Sequence, residues 1–126
     1  MNFTTIEQSK RLLELGLSPD SADMKLNYDY NEHRNVEIPV MDTFKNWDDP
    51  YNKAIPCWSV GALLELLKYP KLYEDQLGDE DVWFCESFIE KWGEYYQGGA
   101  RKTQIDAVYT LICWLLQNDY IKTKQS

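Results

Sequence analysis

At 126 residues, with 44% apolar residues and a formal charge of −8, the chain has the length and make-up of one globular domain spanning residues 1–126. The negative charge argues against direct contact with phosphate, so nucleic acid and anionic membrane are not expected partners; the 13 basic residues are scattered and adjoin only at Lys10-Arg11 and Arg101-Lys102. Three cysteines without a CxxC pair, no export signal over residues 1–20 and no long apolar run predict reduced thiols in a cytoplasmic chain that does not span a membrane.

The first predicted helix lies in "TTIEQSKRLLELGL". Thr4 stands three residues before Glu7, a capping-box spacing. Ile6, Leu12 and Leu13 form its apolar side, against Glu7, Lys10, Arg11 and Glu14. Gly16 suits a left-handed C-terminal position with Leu17 folding back, and "SPDSADM" reads as a turn or one short helical turn. Partial alternation in "KLNYDYNEH" and "NVEIPVMD" predicts short strands, the second confined to a sheet edge by Pro39. "FKNWDDPYNKAIP" has the composition of an irregular loop.

A second helix is expected from Ser59 to Lys68, with Ser59 as N-cap, Trp58 plugging its start and Pro70 beyond its end. Val60, Leu63, Leu64 and Leu67 follow helical spacing, and Ala62 and Leu66 widen that face. So apolar a helix must be covered on most sides, by its own chain or by a partner. "YEDQLGDED", with five carboxylates in nine residues, reads as a solvated loop. "VWFCESF" and "EKWGEYYQ" predict an aromatic-rich hairpin near residues 82–96, and "QGGARK" a flexible connector. The third helix runs from Thr103 or Gln104 to Gln117, with Ile105, Val108, Tyr109, Ile112, Leu115 and Leu116 on one face. Asn118 is the expected left-handed cap. The element order predicts an α+β fold of three helices and a small antiparallel sheet, with helices two and three on one sheet face.

Three stretches, "QSKRLLELGLSPDSADM", "PCWSVGALLELL" and "DAVYTLICWLLQNDYI", resemble a family of small acidic proteins of unknown function from gut-bacterial genomes, prophages and mobile elements. Trp58-Ser59, Asp106-Ala107 and Cys113-Trp114-Leu115-Leu116 carry most of the likeness. Members often follow the last helix with Asn-Gly, where this chain has Asn118-Asp119. The resemblance implies an intact α+β domain and a mobile-element origin; it supplies no activity and no catalytic residue.

The candidate chemistry is sparse. Cys57 precedes a helix, where the dipole favours a thiolate, and His33, the only histidine, would be its base. The plainer reading is a buried cysteine acting as a small hydrophobe. Cysteines this far apart do not make a zinc pattern, and neither "DQLGDED" nor "WDDPYN" follows EF-hand order, so no metal is expected. Trp47, Tyr51, Tyr28 and Tyr30 stand in polar, irregular segments, where they either bind a sugar or peptide or pack a loop onto the domain. No phosphate-binding glycine motif or HExxH occurs, so no cofactor is expected. The sequence favours a non-enzymatic interaction or regulatory protein, with a protein partner or a second copy docked on helix two or three. Its alternatives are an acidic mimic of DNA that inhibits nucleases and a Cys57-dependent hydrolase.

Overall fold

The fold is known from a computed structural model that describes residues 2–29, 34–39 and 55–121. Helix α1 (Ile6–Glu14) has its capping box one residue later than the spacing suggested. Thr5 accepts from the Gln8 N–H, and the Gln8 side chain accepts from the Thr5 N–H. Thr4 is committed elsewhere: its N–H donates to the Trp58 carbonyl at 2.9 Å, and its hydroxyl accepts from the Trp58 N–H at 3.0 Å. Gly16 (φ 98°) ends the helix as expected, with the Leu17 N–H returning to Leu12 and the Gly16 N–H to Leu13. A single 3₁₀ turn follows at Pro19–Ser21.

Strands β1 (Met24–Asp29), β2 (Arg34–Pro39) and β3 (Ile55–Cys57) form an antiparallel sheet in the order β2-β1-β3. Pro39 lies on an edge strand, as predicted, opposite Met24. The end of the expected irregular loop is instead β3, where Pro56 faces Lys25 on the other edge. Both positions suit a residue with no amide hydrogen to give a central ladder.

Helix α2 (Val60–Leu64) is half the predicted length. Its apolar periodicity continues to Leu67, but the backbone leaves it for the second sheet. The Lys68 N–H donates to the Ser87 hydroxyl, and the Lys68 carbonyl accepts from the Phe88 N–H at 2.9 Å. These long-range bonds replace helical ones, and Tyr69 turns the chain at φ 46°.

The second sheet, in the order β4-β5-β6, contains a strand that local sequence pattern does not announce. The carboxylate-rich stretch assigned to a loop is β4 (Lys71–Leu77) and its turn, paired in register with β5 (Glu80–Ile89). Gly78 (φ 67°) supplies the left-handed residue of that turn. β6 (Glu94–Gln97) completes the predicted hairpin. Helix α3 (Gln104–Gln117) begins as expected: the Thr103 hydroxyl accepts from the Asp106 N–H at 3.1 Å. Its left-handed end residue is Asp119 (φ 62°), not Asn118, whose φ is −108°.

The fold class is therefore α+β, as predicted, with two small sheets rather than one. Helix α3 lies on β5, and α2 packs against α3. Leu12, Trp58, Leu63, Cys85, Ile89 and the α3 residues Val108, Leu111 and Ile112 belong to one core. Across it, Gln8 Nε2 donates to Asp106 Oδ1 at 2.8 Å, tying α1 to α3. No helix among the described residues is long and apolar enough to cross a membrane.

Candidate interaction surface

Strand β5 sends alternate side chains to opposite faces of the sheet. On one face Cys85 and Ile89 join the core, with Leu72, Trp83 and Tyr96 packed against it. The other face is a ladder of cross-strand partners: Tyr73 opposite Phe84, Lys71 opposite Glu86 and then Gln97, and Phe88 opposite Tyr95. None of these joins the core.

The outer ladder is aromatic and internally ordered. The Tyr73 and Phe84 rings stack with centroids 5.5 Å apart, and Phe88 meets Tyr95 edge-on at 5.6 Å. Tyr69 reaches Phe88 at 6.1 Å from its left-handed backbone, a conformation a bulky residue rarely adopts. Gln97 Nε2 donates to the Tyr73 hydroxyl at 2.8 Å. Lys71 Nζ lies 4.2 Å from the Tyr95 ring centroid, so the face already holds one cation on an aromatic ring. Large apolar side chains exposed among the described residues are Tyr69, Tyr73, Leu77, Trp92 and Tyr95, from 36% at Tyr73 to 68% at Tyr69. All lie in or beside the second sheet; none is on a helix.

A second aromatic group closes the end of α3. Trp114 stacks on Tyr96 at 3.7 Å and lies near-parallel to Tyr120 at 5.6 Å, with Trp92 edge-on to all three. Beside it is an open groove of about 590 Å³ whose lining includes Lys68, Ser87, Glu90, Lys91 and Tyr120. Lys68 and Glu90 form an ion pair across its mouth, and Ser87 is occupied with the Lys68 backbone. Lys68, Glu90 and Ser87 thus serve the fold.

Cys57 is fully buried, and its thiol donates to the Thr4 carbonyl at 3.2 Å. The start of α2 belongs to other groups: Ser59 caps the Ala62 N–H, while Asp23 accepts from both the Ser59 N–H and its hydroxyl. The N-terminal end of α2 therefore faces the Ser59 hydroxyl and the Asp23 carboxylate. His33, Tyr30, Trp47 and Tyr51 lie outside the described residues. Tyr28 lies in β1, in register with Asn35.

Burial pushes the Cys85 thiol up to about 12, with Glu86 adding to the shift. Burial likewise raises Cys113, and it raises the Tyr109 phenol. These groups are protonated at neutral pH and make poor nucleophiles or ligands. No cluster of three metal-ligating side chains exists among the described residues. The aromatic surface had a signal in the sequence. Once β4 is seen as a strand, Tyr73, Phe84, Phe88 and Tyr95 share one period-2 face. Compared with known protein families, with curated proteins and with solved structures, the chain matches none.

Proposed function

We propose that this chain is a non-catalytic interaction protein that docks another protein on the outer face of its second sheet. One observation carries the reading: the helices bury their apolar faces within the fold, while Tyr73 and Tyr95 on the sheet, and Tyr69 just before β4, stay exposed. Tyrosines of this kind anchor interfaces, because each buries a large ring at small conformational cost. The likeness at Trp58-Ser59 and Cys113–Leu116 supports a mobile-element origin, and three cysteines that form no disulfide support a reducing, cytoplasmic setting. The test is selection of a random peptide library against the whole protein. Enriched peptides should bind the wild type and lose binding to Tyr73→Ser/Tyr95→Ser. A selection that enriches nothing, or binders indifferent to that variant, overturns the docking face.

A second reading is supported by the placement of Glu74, Asp75, Asp79, Glu80 and Asp81 on a paired hairpin rather than a loose loop. A DNA mimic needs its carboxylates on a rigid frame. It predicts inhibition of a nuclease that Asp79→Asn/Glu80→Gln/Asp81→Asn abolishes; no inhibition across several nucleases removes it.

A further inference from the structure

We infer that the occupant of this face is a cationic, arginine-bearing segment of a partner protein; the inference rests on the docking reading above. Its ground is the pairing of two features in one place. The ladder gathers the rings of Tyr73, Phe84, Phe88 and Tyr95 on one side of the sheet, and aromatic π electrons attract cations. Around those rings the charges are unbalanced: one lysine, Lys71, stands against Asp75, Glu80 and Glu86, with Asp79 and Asp81 at the tip of the same hairpin. Lys71 over Tyr95 shows the chemistry at work within the chain.

Charge complementarity also decides against the competing occupants. A second copy would bring the same carboxylates against themselves, in a chain that carries −8 overall. An acidic or phosphorylated segment meets the same repulsion. A purely apolar segment would set its side chains against the carboxylates of Glu86 and Asp75 and help to desolvate them. A guanidinium satisfies both demands, because it lies flat on a ring and donates in-plane hydrogen bonds to a neighbouring carboxylate. An ammonium does only part of this, so arginine is favoured over lysine.

The experiment uses the whole protein and three labelled twelve-residue probes in which glycine alternates with arginine, lysine or glutamate, followed by fluorescence anisotropy. The arginine probe should bind at least about fivefold more tightly than the lysine probe, and the glutamate probe should not bind. Binding should weaken about tenfold between 50 and 200 mM salt. Tyr73→Leu/Tyr95→Leu keeps apolar bulk but removes two ring faces; it should erase the arginine preference while leaving the residual, salt-sensitive attraction. Asp79→Asn/Glu80→Gln/Asp81→Asn should reduce binding of both cationic probes and keep the preference. Circular dichroism confirms that both variants fold. Equal binding of arginine and lysine probes, unchanged in the tyrosine variant, overturns the inference, because it means attraction to net charge alone. Library-selected binders that need Tyr73 and Tyr95 but carry no charge overturn the cationic partner and leave the docking face standing. A mass that doubles in the wild type and not in the tyrosine variant makes the occupant a second copy. Failure of both library and probes removes the face as a docking site.

Discussion

The two faces of β5 share one backbone and differ in what covers them. Cys85 and Ile89 are sealed beneath α3, and Ser87, buried beside them, spends its hydroxyl on the Lys68 backbone. Phe84, Glu86 and Phe88, one residue out of step, lie half-buried in a ladder of rings and charges. The inner face needs tight volume matching and no charge, whereas the outer face keeps large rings near water. A sheet needs only its inner set for stability, so the aromatic richness of the outer set calls for another explanation, and docking supplies one.

The largest expected effect tests that asymmetry. Ile89→Ala should cost about 3 kcal/mol in urea unfolding, through lost burial and a cavity under α3. Tyr95→Ala should cost about 1 kcal/mol at most, since its ring is already partly solvated. Equal losses would break the comparison. The next effect probes the closeness of helix and sheet. A Cβ added at Gly98 would sit 3.3 Å from Leu111 backbone atoms, so Gly98→Ala should cost about 1–2 kcal/mol by overpacking. An unchanged urea midpoint would mean that α3 yields easily.

Cys85 sharpens the inner face through pH. Its thiol keeps its proton up to about 12 in the fold, against 9.0 for the ordinary group. Between those values the unfolded chain loses a proton that the folded chain retains, so stability is full below pH 9 and falls as pH rises. Cys85→Ala should flatten that fall; an identical slope would place the effect elsewhere, Tyr109 and Cys113 being the other groups shifted the same way. The smallest effect lies outside both faces. Asp119→Gly should stabilise by about 0.5 kcal/mol, because glycine accepts the left-handed backbone without a Cβ penalty. A fall in melting temperature would show that Asp119 has a compensating contact.

Much of this fold was legible. Helix α3, the end of α1 at Gly16, the edge role of Pro39 and the β5–β6 hairpin all follow from local periodicity and turn chemistry. The misses share a cause: long-range partners outweigh local pattern. Strand β4 carries Glu74, Asp75 and Gln76 where a half-buried strand would show apolar alternation, and only its pairing with β5 reveals it. Helix α2 stops early because Ser87 and Phe88 claim the Lys68 backbone. The first cap shifts because Thr4 binds Trp58, far along the chain. Cys57 stands beside a helix start in the sequence, and its burial is a property of the assembled core that no local pattern carries.

The two prolines of the first sheet bear on how this protein would fail. Pro39 on β2 and Pro56 on β3 leave each flank of that sheet one amide donor short. A strand added from another molecule therefore meets, at Pro39, a residue that cannot donate to it. The flank of the second sheet at β4 is guarded instead by charge, at Lys71, Glu74 and Asp75. Salt weakens only the second kind of guard. Fibrils grown in concentrated salt should accordingly hold residues 71–77 in their protease-resistant core and leave residues 34–39 cleavable; the opposite pattern would show that the prolines do not protect.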